Sequence, residues 1–268
     1  MVTFLPVAAS DTPALKALWL ACFEEKPEAV DLFFDRLTAY CHGYKAMDDG
    51  AVIAALYLVD CTLNGRQAHY LCGASTRPDY RQRGVMRGLI AYALDDAKRR
   101  GDVFSVLCPA DEGLYRFYGR LGYLAKCAVR TVTLTRRELD APRAASGTPD
   151  VQALQSLCCH KNFLLWNKEY IDFAAAYYGV YGVQAITSAD AFALCEKERS
   201  TAVIYYAVYR DFQALKSLLQ TIEADTYILT GSGSQPLFSG AKRSVSGMIY
   251  PLTHENPPDD VFIGITLN

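Results

Sequence analysis

No apolar run in the 268 residues approaches the roughly 20 that a membrane-spanning helix needs, so no membrane association is expected. The first ten residues lack a positively charged start, and Pro6 interrupts their short apolar stretch. They read as a first strand rather than a secretory signal. A surplus of cations is missing too. The 27 Lys and Arg stand against 29 Asp and Glu, a formal net charge of −2, where a nucleic-acid binder shows the opposite balance. The nine cysteines fall without the paired spacing of a metal site, so no metal is expected. Their odd number, their places inside apolar runs and the vicinal pair Cys158-Cys159 read as reduced thiols in a cytoplasmic protein. The alternating glycines of a dinucleotide site are absent, and so is a phosphate loop ending in Gly-Lys-Ser/Thr.

What the chain does have is a crowded turn at residues 75–89. A strand candidate runs into Ser75, Thr76 and Arg77; then come Arg81, Gln82, Arg83 and Gly84; then a helix begins with Val85, Met86 and Arg87. A glycine there lets backbone approach a ligand without an intervening Cβ. The first amides of a helix lack intrahelical partners and carry the positive end of its dipole. With Arg81 and Arg83 they compose a cradle for a phosphate or diphosphate; the same residues also fit a solvated basic turn. Val85, Met86, Leu89, Ile90, Ala93, Leu94 and Ala97 recur at helical spacing. Lys98, Arg99 and Arg100 suit the last turn, and Gly101 the stop.

The run Arg81-x-x-Gly84-x-Met86 resembles the Gln/Arg-x-x-Gly-x-Gly/Ala motif of the GNAT superfamily of N-acetyltransferases, with Met86 in place of the usual small residue. A second block, residues 114–123, resembles that superfamily's Phe-Tyr-x-x-x-Gly-Phe segment. Its wording Tyr118-Gly119-Arg120-Leu121-Gly122-Tyr123 is similar to the enhanced-intracellular-survival branch, where a bulky residue also tends to occupy the position of Met86. The resemblance implies an α/β fold, with a mixed central sheet flanked by helices. It implies acetyl-CoA as cosubstrate, a primary amine as acceptor, and Tyr118 as general acid toward the departing thiolate. It also places the backbone of Ala74, Ser75 and Thr76 against the cofactor, and its diphosphate on Arg81, Gln82, Arg83, Gly84, Val85, Met86 and Arg87.

The order of elements agrees. A strand at 3–7 precedes a helix with Pro13 at its start and the stripe Leu15, Leu18, Trp19 and Cys22. A second helix opens at Pro27 and buries Val30, Phe33, Phe34, Leu37 and Tyr40. Asp49-Gly50 and Asn64-Gly65 are hairpin turns leading into strands at 51–61 and 67–76. Beyond the arginine turn lie a strand at 103–108, the short helix carrying Tyr118, and closing strand material at 124–134. Residues 1–139 are expected to form the acetyl-CoA-binding domain, and 140–150, rich in Pro, Gly and Ser, a linker.

Residues 151–268 read as a degenerate second GNAT-like lobe, on the substrate side or structural. A helix around Val151, Leu154 and Leu157 and an aromatic helical stretch at 166–178 come first. Strand at 201–208, helix at 212–223 and strand at 226–229 then echo the first half, without a glycine at the turn. The third lobe of the survival branch is not expected. The polar run 242–248 reads as a surface loop, with a place along a substrate cleft as the alternative.

Other chemical candidates are weaker. Glu24, Glu25 and Glu28 cluster where GNAT members often place substrate-facing groups, yet by themselves read as a solvated loop. His69 reads as buried or paired, and Cys108 as an inert thiol. Survival-branch relatives use a terminal carboxylate as base; that role is not carried to Asn268, because the chain ends in the other half. Tyr115 stands second to Tyr118, while Phe117 and Leu121 read as core. The acceptor amine and any homo-oligomer stay open. The competing reading is a catalytically silent CoA-binding regulator or scaffold on the same fold.

Overall fold

The computed structural model describes residues 1–158 and 161–267; Cys159 and His160, and with them half of the vicinal cysteine pair, lie outside the described residues. The first elements are β1 (Thr3–Pro6), α1 (Thr12–Cys22), α2 (Pro27–Leu32), β2 (Cys41–Asp48), β3 (Ala51–Leu63) and β4 (Arg66–Thr76). They are followed by α3 (Val85–Arg100), β5 (Phe104–Leu107), α4 (Glu112–Gly119) and β6 (Leu124–Thr135). Residues 140–150 carry no helix or strand. The remaining elements are α5 (Val151–Cys158), β7 (Leu164–Trp166), α6 (Lys168–Gly179), β8 (Gln184–Ser188), β9 (Ala191–Glu198), β10 (Thr201–Tyr209), α7 (Phe212–Leu219), β11 (Thr226–Gly231) and β12 (Arg243–Pro251).

The chain divides into two units that are not contiguous in sequence. Unit 1 holds Met1–Ala125, Met248–Pro257 and Leu267; unit 2 holds Lys126–Gly247 and Pro258–Thr266. In unit 1 the strands β1 to β4 pair antiparallel in order. β5 joins β4 in parallel, and residues 248–251 of β12 pair antiparallel with β5. A parallel neighbour needs a crossover, and α3 supplies it. Unit 2 repeats the pattern. β8, β9 and β10 pair antiparallel, β11 joins β10 in parallel after α7, and β6 lies antiparallel to β11.

Local chemistry explains the first unit. Asp49 and Gly50 have φ of 47° and 79°, and Asn64 and Gly65 have 52° and 75°. Two successive left-handed residues make the tight turn whose twist suits a hairpin. On α3 the residues Val85, Leu89, Ile90, Ala93, Leu94 and Ala97 are buried and belong to one core with Tyr44, Ile53, Leu56 and Leu58. Each large aliphatic side chain so buried contributes about 1.5–3 kcal/mol. Gly101, at φ 97°, closes the helix.

Three expectations need correction. The helix opening at Pro27 changes to a wider π-helical turn at Phe33–Leu37, and Tyr40 beyond it is 49 % exposed rather than buried. The aromatic stretch is not helical throughout: Trp166 ends β7 before α6 begins. The run 242–248 is not a loop, since β12 starts at Arg243.

His69 on β4 is buried as expected, with Nδ1 2.6 Å from the Asp102 carboxylate. Arg100 reaches the same carboxylate oxygen at 3.2 Å. Burial outweighs the attraction of Asp102 and pushes the imidazole below its ordinary value of 6.5. The unfolded chain therefore takes up a proton near pH 6.5 that the native state refuses, so stability present above that pH is lost as pH falls below it. Melting temperature is expected to fall between pH 7.5 and pH 5.5, and His69→Gln should flatten that slope. An unchanged slope in the variant would assign the loss to other groups.

Candidate active site

The site grows out of a disagreement between neighbouring strands. β4 and β5 pair at Ala68↔Phe104, His69↔Ser105 and Tyr70↔Val106, and there the pairing stops. Against β3, the register steps from Ala55↔Ser75 to Tyr57↔Cys72, so Gly73 and Ala74 of β4 face Leu56 alone. This is a β-bulge, which bends the strand and interrupts its ladder. Gly73 takes φ of 60°, and a Cβ there would lie 2.4 Å from a ring carbon of Trp19. Only glycine satisfies both demands.

Where the strands part, unit 1 contains a cavity of about 160 Å³. Residues 71–74 of β4 form one wall and residues 107–110 after β5 another. Leu114 and Tyr118 of α4 line it, as do Trp19, Phe23 and Glu25 from the end of α1 and the loop beyond, and Leu267. Tyr118 is 7 % exposed. It sits edge-on to Phe117 and Tyr123, with ring centroids 5.1 and 5.6 Å away. Burial, with a smaller contribution from Cys72, pushes its phenol up to about 12. The hydroxyl thus stays protonated at neutral pH, able to donate. The side chain belongs at once to the core of unit 1 and to the cavity wall.

Just beyond the C-terminal end of β4 stands the arginine turn. Gln82 and Gly84 adopt left-handed φ of 61° and 77°. Gly84 precedes α3 with no side chain capping the helix, and a Cβ on it would meet nothing within 4 Å. The space beside Gly84 at the start of α3 is therefore open. The side chains of Arg81, Gln82, Arg83 and Arg87 are exposed. Arg81 donates through Nε to the Thr76 carbonyl at 3.1 Å, and Arg83 lies over the Tyr80 ring, 5.1 Å from its centroid. Val85 is buried and Met86 half-buried against the core. Ala74 reaches the cavity. Ser75 and Thr76 are paired with Ala55 and Ala54 of β3.

Sequence reasoning missed two features of this site. Glu25 lines the cavity, while Glu24 and Glu28 are exposed. The signal was present: Phe23 lies one turn after Trp19, carrying the apolar stripe past the end of α1 and Glu25 with it. The end of the chain was assigned to the second half, yet Leu267 belongs to unit 1, and its N–H donates to the Tyr70 hydroxyl at 3.2 Å. Asn268 lies outside the described residues. Cys108 lines the same cavity. Among the described residues no cluster of His, Cys, Asp and Glu is arranged to hold a metal ion, and no helix is long and apolar enough to cross a membrane.

The parting strands, the helix-capped basic turn and the order of elements define a GNAT fold. Residues 4–125 match the family model described as acetyltransferase (GNAT) domain. No curated protein matches the chain. Among solved structures, a conserved protein of Enterococcus faecalis, described as a probable N-acyltransferase, is 13 % identical with a TM-score of 0.74, covering 94 % of this chain and 73 % of that one. Eis1 from Mycobacterium abscessus is 13 % identical with a TM-score of 0.67, covering 94 % and 74 %. A tandem GNAT protein from the clavulanic acid biosynthesis pathway is 15 % identical with a TM-score of 0.53, covering 96 % and 100 %. That tandem plan fits the second lobe of this chain.

Proposed function

We propose that this protein is an acetyl-CoA-dependent N-acetyltransferase acting on a primary amine. One observation carries the reading: a cavity with a tyrosine in its wall opens where β4 leaves β5, and the same strand runs on to a helix start with no side-chain cap and exposed arginines. The amides of Val85, Met86 and Arg87 and the side chains of Arg81, Gln82, Arg83 and Arg87 would hold the cofactor's diphosphate through charge-assisted bonds. The stretch Ala74, Ser75 and Thr76 would flank its pantetheine arm. Acetyl-CoA, when bound, supplies an activated acyl carbon; the rest falls to this chain. Glu25 takes one proton from the substrate ammonium and passes it to water. The freed amine forms its bond to the acetyl carbon as the carbon–sulfur bond breaks. Tyr118 gives its proton to the departing thiolate and is restored by the second proton leaving the nitrogen. Cys22, Cys41, Cys61, Cys72 and Cys195 are in no disulfide, which supports a cytoplasmic setting.

Titration calorimetry with acetyl-CoA, followed by thiol release across an amine panel, tests the reading. No binding at millimolar ligand would overturn it, and binding without thiol release from any amine would favour the silent regulator. Gly84→Asp sets a carboxylate in the open space before α3. It is expected to weaken acetyl-CoA binding at least about tenfold, or 1.4 kcal/mol, by repulsion and by filling the cradle. A folded variant with wild-type affinity would remove the arginine turn from the site.

A further inference from the structure

Resting on the acetyltransferase reading, we infer that Tyr80 is a positioning residue of the diphosphate cradle. Its ring holds the Arg83 guanidinium beside the start of α3 while leaving that cation's charge and N–H donors open to a phosphate. The Arg83 Cζ lies 5.1 Å from the ring centroid, within the range at which a cation is drawn to an aromatic face. That attraction runs through the ring quadrupole. It therefore neither neutralises the guanidinium nor occupies the planar fork of donors that suits a phosphate.

Neighbouring arginines show the contrast. Arg77 lies over the same ring at 5.0 Å, but its Nε and Nη2 donate to the Asp79 carboxylate at 3.1 and 2.7 Å. Arg81 is committed through Nε to the Thr76 carbonyl. Asp48 and Asp79 stand close enough to feel the charge of Arg83, yet they bond Tyr80 and Arg77 instead.

The platform itself is fixed from three sides. A 3₁₀ turn at Pro78–Tyr80 sets its backbone, and the Tyr80 N–H donates to the Arg77 carbonyl at 2.9 Å. Its hydroxyl donates to Asp48, the last residue of β2, at 3.1 Å. Its ring packs against the core of unit 1. A long exposed side chain loses rotamer freedom when a ligand engages it, which lowers affinity roughly two- to tenfold. A ring that has already ordered the side chain removes much of that loss.

A double-mutant cycle tests the coupling. Acetyl-CoA affinity is measured by titration calorimetry in the full chain, in Tyr80→Leu, Tyr80→Phe and Arg83→Gln, and in the Tyr80→Leu, Arg83→Gln double variant. Melting curves report folding alongside. Tyr80→Leu is expected to weaken binding about three- to tenfold, while Tyr80→Phe, which keeps the ring, stays within about twofold of the wild type. Arg83→Gln removes a charged donor and should cost at least about tenfold; in that background Tyr80→Leu should add nothing. A ring that merely supports the fold would act equally in both backgrounds. Three results would each overturn this inference and leave the acetyltransferase reading in place: unchanged affinity in Tyr80→Leu, a loss of the same size beside Arg83→Gln, or Tyr80→Phe as weak as Tyr80→Leu. Should Tyr80→Leu fail to melt cooperatively, Tyr80→Met is read by the same criteria. Absence of acetyl-CoA binding in the wild type would overturn the acetyltransferase reading and this inference with it.

Discussion

Tyr118→Phe is expected to lower turnover by roughly a hundred- to ten-thousand-fold, the usual contribution of a positioned general acid, with acetyl-CoA affinity unchanged. The substitution deletes one hydroxyl and keeps the ring, so the edge contacts with Phe117 and Tyr123 persist and stability should hold. The basic turn at α3 is untouched, which is why binding should survive. A thiolate leaving without a proton donor is a poor leaving group, so the loss falls on the chemical step. Single-turnover rates isolate that step from product release. Wild-type single-turnover rates in the variant would reduce Tyr118 to a core aromatic, and Tyr115 would be the next donor to examine.

The second large effect concerns folding. A chain cut after Leu139 keeps every element of the first half but loses residues 248–251, the antiparallel partner of β5. It also loses Met248 and Leu252, which are 3 % and 6 % exposed in the core of unit 1. Removing two such side chains costs about 2–5 kcal/mol each, before the unpaired groups of β5 are counted. That sum is comparable to the about 5–15 kcal/mol that stabilises a whole domain. The fragment is expected to melt without a cooperative transition and to bind a hydrophobic dye. A cooperative melt near that of the full chain would show that 248–251 is dispensable.

Most of the first unit was legible because its signals are local. Two Asx-Gly turns set the hairpins, the stripe on α3 set its buried face, and the arginine turn with Tyr118 set the candidate site. What escaped was non-local. Nothing within the run 242–248 says that it begins a strand continuing into the first unit's sheet, because a strand's partner is chosen across the whole chain. Strand β9 escaped for a related reason. Ala191, Phe192, Ala193, Leu194 and Cys195 are all buried, so the alternation that announces a half-exposed strand is missing. Glu25 was hidden between Glu24 in the same loop and Glu28 in the first turn of α2. Only the course of the chain after α1 separates the one that turns inward from the two left in water.

The late arrival of residues 248–251 has a consequence for how the protein is made. Synthesis is vectorial, and at about 5–20 residues per second the ribosome needs on the order of ten seconds to go from β6 to the end of β12. Until then β5, whose four residues are all buried in the finished protein, waits at the margin of a partly built sheet with one edge unpaired. Such an edge is a template for pairing with another nascent chain. Yield from the ribosome should thus depend on what shields Phe104–Leu107 during that interval, a chaperone or simple dilution, more than on the final stability of the fold.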